Sequence, residues 1–144
     1  MIDAAAFWKG RDTEYASELT EDIRANAEVT ISKVNDLLAL AGRSADSVNS
    51  GWRPRAINEA TSNAGANSKH ITGQAVDIGD ADRSLATWVA DNLDSLKKCE
   101  LWCEDFRWTP TWVHFQWVPP KSGKRIYIPS SAPPADPDFP ITWA

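Results

Sequence analysis

The sequence predicts an α+β fold, a small antiparallel sheet with packed helices, and three observations predict it. Residues 11–41 carry apolar side chains at helical spacing, and residues 82–97 repeat the pattern. Residues 100–104 and 112–117 instead alternate as strands do. With 144 residues, 42% of them hydrophobic, the chain is expected to be a single domain with its own core. Within it, residues 1–49 read as a helical part, 50–118 as the chemical core and 129–144 as a proline-rich, extended tail.

Taken in order, Tyr15, Leu19, Ile23, Ala27, Ile31, Val34, Leu38 and Ala41 recur at steps of three and four, with Gly42 as a stop. Glu18, Glu21, Asp22, Arg24 and Lys33 cover the other side. The pattern is one long helix or two in succession, expected to pack across the sheet. Residues 50–80 are loop-rich, with Pro54 and small polar residues, and a short strand over 74–78. Asp82 is a plausible cap for the second helix, whose apolar positions are Leu85, Trp88, Val89, Leu93 and Leu96.

In the strands, Leu101 and Cys103 oppose Trp102 and Glu104, while Val113, Phe115 and Trp117 oppose Trp112, His114 and Gln116. Val76 and Ile78 likewise oppose Ala75 and Asp77. One face of the sheet is therefore apolar and the other carries the ionisable groups.

Composition removes several function classes. A net charge of −5 argues against a general nucleic-acid binder. No stretch approaches the roughly 20 apolar residues of a membrane span, and the first 15 residues lack the pattern of a secretory signal. Cys99 and Cys103, four apart, lack the second pair of a zinc ribbon and read as reduced, partly buried thiols. Of eight tryptophans, five fall between Trp88 and Trp117. Most such rings belong to cores, and the alternative is that one or two, Trp112 among them, line a groove for substrate.

The chemistry concentrates on the only two histidines. His70 sits in Ser68-x-His70-x-x-Gly73-x-Ala75-x-Asp77, and His114 in Trp112-x-His114. Two imidazoles and a carboxylate suit zinc, and three protein ligands leave a fourth tetrahedral position for water, as catalysis requires. Gly73 permits a tight reversal, and Ala75 keeps bulk from the metal-facing side. Ser68 is expected to order the loop or bind substrate. It is not expected to attack, because both histidines are committed to metal.

These two motifs resemble the LAS-type zinc peptidases, which include D-Ala-D-Ala carboxypeptidases and dipeptidases, phage L-alanyl-D-glutamate endopeptidases and the related hedgehog signalling domain. The preceding SGWRPRAIN is similar to the segment that leads into the zinc motif of those enzymes, so the likeness covers about residues 50–116. It implies a hedgehog-type, D-Ala-D-Ala-peptidase-like fold, zinc on His70, Asp77 and His114, and hydrolysis of peptidoglycan stem peptides.

One departure bears on mechanism. Many members carry the catalytic acid three residues before the second histidine, where this chain has Thr111, which cannot serve as a base near neutral pH. Strand alternation nominates Glu104, on the face of His114, with Asp105 as second choice. An ordinary solvated charge is the plain alternative for Glu104. The oxyanion donor implied by the resemblance is Arg53, with Arg55 the other candidate and a surface ion pair the plain reading of either. The expectation is a monomeric phage or prophage lysis enzyme, held in the host cytoplasm before lysis or carried in the virion, whose partner is bacterial peptidoglycan. An inactive zinc-binding wall-recognition module, or a structural phage component, is the alternative.

Overall fold

The first residues fold into two short helices, α1 (Ala4–Trp8) and α2 (Arg11–Glu14), followed by a single 3₁₀ turn at Ala16–Glu18. The structure, a computed structural model, describes residues 1–61 and 64–129. The proline-rich tail after Pro129 lies outside the described residues. The long helix α3 spans Glu21–Leu40, so the helical pattern over 11–41 is broken near residue 20. The reason is local. The Thr20 hydroxyl accepts the Ile23 amide at 3.1 Å, and Glu21 and Asp22 follow it in the first turn. Both features stabilise a new helix N-terminus. Apolar spacing continues across the break because both segments face the same core.

The buried face of α3 is Ala27, Thr30, Val34, Leu37 and Leu38. Thr30 belongs there because its hydroxyl lies 2.6 Å from the Gly73 carbonyl oxygen and accepts the indole N–H of Trp117 at 2.8 Å. The helix is thereby tied to the loop that carries His70.

Strand β1 (Val48–Ser50), helix α4 (Arg55–Ala60) and strand β2 (Ala75–Gly79) come next. The second helical stretch is split into α5 (Ser84–Asp91) and α6 (Leu93–Lys98). The Asn92 side chain turns back to the Trp88 carbonyl at 2.8 Å, a local bond that competes with helix continuation. Asp82 accepts the Ser84 amide at 3.1 Å, but Asp80 caps α5 more deeply, accepting the amides of Leu85 and Ala86 at 2.9 Å each.

Strands β3 (Trp102–Glu104), β4 (Trp112–Gln116) and β5 (Ile126–Tyr127) complete a five-stranded sheet of order β1-β2-β4-β3-β5. The expectation of an antiparallel sheet needs correction, because β5 pairs parallel with β3. β1 and β5, of three and two residues, lie outside the alternating runs of the sequence and leave no period to read. Glu100 adopts a left-handed conformation (φ 58°), which delays the start of β3, and Cys99 caps α6 rather than joining the strand. Both cysteines are free and buried. Trp117 lies just past β4, half-buried against the core.

The alternation itself holds. Val76, Ile78, Leu101, Cys103, Val113 and Phe115 are fully buried in one core cluster with Phe7, Trp52 and Phe106. Each large ring buried there contributes roughly 1.5–3 kcal/mol. The outer edge of β1 is closed by Lys9, whose ammonium donates to the carbonyls of Val48 and Asn49 at 3.1 and 2.9 Å. No described helix is long and apolar enough to cross a membrane.

Gly51 follows β1 where α1 passes closest. A Cβ there would collide with the Phe7 backbone carbonyl, which cannot swing aside as a side chain can. Gly51→Ala is expected to cost about 1–3 kcal/mol, read as a lowered urea midpoint at unchanged m-value. An unchanged midpoint would show that the contact is slack.

Candidate metal centre

The antiparallel register of β2 on β4 sets Asp77 directly opposite His114, and both side chains stand on the face away from the core. His70 reaches the same point from the loop before β2. That loop closes through Gly73, whose φ of +76° an L side chain rarely adopts, and whose Cβ would lie 2.9 Å from the Ile23 carbonyl oxygen. Ser68 shapes the same turn, its hydroxyl accepting the His70 amide at 3.2 Å. Segments far apart in sequence thus converge on one point.

One donor atom from each of His70, Asp77 and His114 lies within 4.8 Å of the others. His70 Nε2 is 3.2 Å and His114 Nδ1 2.9 Å from the same oxygen, Asp77 Oδ1. The two imidazole centroids are 5.1 Å apart in an edge-on arrangement. Both histidines are buried, at 1% and 4% exposure, so the group is not a solvated surface cluster.

The outer nitrogens test whether these residues fit a cation. His70 Nδ1 lies 2.7 Å from the Gly51 carbonyl oxygen. A carbonyl only accepts, so Nδ1 carries the proton and Nε2 turns its lone pair to the centre. A lone pair facing a buried carboxylate oxygen repels it until a positive charge comes between. The donor set therefore fits a metal ion.

In the metal-free chain the same three groups perturb one another's ionisation. Burial alone would raise the Asp77 pKa, but the two imidazoles hold it well below the ordinary carboxylate range. Burial pushes the His70 pKa down, partly offset by Asp77. For His114 burial also lowers the pKa, but Glu104, Asp77 and Gln116 together outweigh it and leave the pKa raised to about 9. Without metal, the His114 ring therefore carries a second proton at neutral pH. A ligand must present a lone pair, so metal uptake below about pH 9 releases that proton. Apparent affinity should rise about tenfold per pH unit up to about pH 9 and flatten above it. Calorimetry at pH 7 in buffers of different ionisation heat should count about one proton released per ion. No release would contradict the assignment. In the metal-free chain the sign is opposite. The raised His114 pKa stabilises the fold fully below the unfolded value of 6.5, and that contribution is lost as pH rises through about 9.

The other residues nominated from the sequence divide clearly. The Glu104 side chain, 23% exposed, lies with its carboxylate 3.9 Å from His114 Nε2. Asp105 is instead held by Arg107, whose Nε and Nη2 approach its two oxygens at 3.0 and 2.7 Å, and it is almost fully buried. Arg53 is 9% exposed, and Asp77 and Glu104 are the carboxylates whose charge it feels most. Its buried Nε has no hydrogen-bond partner among the described residues. Arg55 is exposed at the start of α4. Trp112, half-buried, opens β4 on the face of His114. Thr111 precedes β4 and its carbonyl accepts the Asp80 amide at 2.8 Å.

Two contributors were not legible in the sequence as such. The Gly51 carbonyl acts through its backbone and leaves no side-chain signal. Gln116 faces the site, as alternation predicts, but its contact with His114 at 2.9 Å depends on Tyr127 arriving from β5. Comparison with protein-family profiles, curated proteins and solved structures finds no match to this chain.

Proposed function

We propose that the protein is a zinc peptidase that hydrolyses stem peptides of bacterial peptidoglycan, of D-Ala-D-Ala carboxypeptidase or L-Ala-D-Glu endopeptidase type, in phage or prophage lysis. The observation that carries this reading is the buried His70–Asp77–His114 group with its three donor atoms mutually in reach. Imidazole and carboxylate donors without a thiolate suit zinc in an open, catalytic site. The substrate class rests on the resemblance of the two motifs to LAS-type peptidases, which also carries the hedgehog-type fold.

When bound, zinc lowers the pKa of its water from about 15.7 toward about 7 and polarises a carbonyl beside it. Glu104 accepts the water proton and returns it to the leaving amine. It is close to His114 yet partly open to solvent, as a group that contacts both water and substrate must be. Arg53, whose guanidinium lies near Asp77 and Glu104, supplies positive charge to offset the charge that builds on the carbonyl oxygen. Asp105 is unsuited to proton transfer because Arg107 already engages both of its oxygens. Trp112 provides an apolar wall for the peptide.

The second reading is a zinc-binding recognition or structural module, favoured by Thr111 at the position where the family carries its acid. Zinc-loaded protein incubated with purified peptidoglycan separates the two, with released muropeptides weighed by mass spectrometry. New amino termini at one bond type are expected. Their absence, with zinc shown to be bound, selects the recognition module. Chelation is expected to stop hydrolysis while the far-UV spectrum persists, because the core cluster includes none of the three ligands. A chain that unfolds on chelation holds a structural ion.

A further inference from the structure

We infer that Gln116 and Tyr127 are positioning residues that select which imidazole nitrogen His114 presents to the ion, an inference that rests on the metal-site reading above. Gln116 ends β4 two residues after His114 and on the same face. It is 6% exposed and Tyr127 8%, so the polar atoms of both need partners inside the protein.

The orientation of the Gln116 amide is fixed from its far end. Its Nε2 lies 2.6 Å from the Val118 carbonyl oxygen. A carbonyl cannot donate, so the amide nitrogen must be on that side and the amide oxygen must face inward. That oxygen meets the Tyr127 hydroxyl at 2.6 Å and His114 Nε2 at 2.9 Å. An amide oxygen has two lone pairs and no proton. Tyr127 therefore donates its hydroxyl proton, and His114 Nε2 carries an N–H. The remaining nitrogen, Nδ1, is 2.9 Å from Asp77 Oδ1 and is the one available to a cation.

Each link depends on the previous one: Val118 orients the amide, the amide holds the Nε2 proton, and Nδ1 is left bare for the ion. Tyr127 fills the second lone pair and keeps the amide from tipping toward another acceptor. It is delivered by β5, the strand paired parallel to β3, which gives that two-residue strand a role at the site. His70 shows the opposite choice, with Nδ1 bound to the Gly51 carbonyl and Nε2 facing the centre. The two imidazoles thus enter through unlike nitrogens. One is set by a backbone carbonyl that no substitution removes, and the other by a side chain that can be changed.

The test is long-range proton–nitrogen NMR on histidine-labelled, zinc-loaded protein, with zinc affinity measured in parallel. In wild type, His114 should show a protonated Nε2 and a metal-bound Nδ1, with the assignments reversed in His70. Gln116→Leu should weaken zinc binding about 10–100-fold and lose the single protonated-Nε2 signature. Tyr127→Phe perturbs the core less, and should retain the signature while speeding solvent exchange of the Nε2 proton several-fold. A wild-type His114 protonated on Nδ1, or a Gln116→Leu chain that binds zinc as tightly as wild type, overturns the inference. Neither readout involves hydrolysis, so this inference and the peptidase reading fail separately.

Discussion

Replacing His114 with alanine is expected to abolish stoichiometric zinc binding and reduce peptidoglycan hydrolysis to background. His114 supplies one of three donor atoms within 4.8 Å of one another. A four-ligand zinc site is worth roughly 10–16 kcal/mol, so one ligand accounts for about 2.5–4 kcal/mol, or roughly 100- to 1,000-fold in affinity. The substitution also removes one of the two imidazoles that hold the buried Asp77 ionised, which adds a cost in stability. Equilibrium dialysis against zinc, with far-UV circular dichroism as a control for folding, checks the result. A folded His114→Ala chain that still binds one zinc at wild-type affinity would remove His114 from the centre.

The second large effect separates two carboxylates adjacent in sequence. Glu104→Gln conserves shape and removes only the proton acceptor. Hydrolysis should fall about 10²–10⁴-fold, the usual worth of general acid–base help. Zinc should stay bound. Glu104 is not one of the three donor groups, so its loss leaves the ligand set intact. Asp105→Asn should do the reverse, costing about 1–3 kcal/mol of stability through the lost Arg107 pairing while activity per folded molecule persists. An active Glu104→Gln alongside a dead but folded Asp105→Asn would transfer the base to Asp105.

What the sequence discloses follows from where the physics leaves a period. Val76, Ile78, Val113 and Phe115 alternate with Asp77 and His114 because one sheet face packs into the apolar core and the other carries the polar, ionisable groups. Both that face and the three candidate ligands were therefore legible. Glu104 could be nominated over Asp105 by the same parity, and the Arg107 pairing supplies a physical reason the sequence lacked. Arg53 and Arg55 were inseparable by pattern, since only the packing of the turn before α4 buries one and exposes the other.

The missed features share a cause. Asp80 caps α5 through amides five and six residues on, beyond the usual capping offset. The strand β5 is two residues long and acts through Tyr127 alone. Gly51 contributes a carbonyl, which every residue has. Interactions that depend on backbone atoms or on very short elements leave no composition or period behind them.

X-ray absorption at the zinc edge, on protein loaded with one equivalent, tests the central claim most directly. Coordination by His70, Asp77 and His114 predicts only nitrogen and oxygen neighbours at about 2.0–2.2 Å, with imidazole outer-shell scattering from two rings. A sulfur neighbour near 2.3 Å, the mark of Cys99 or Cys103, or a spectrum with one imidazole or none, would contradict it.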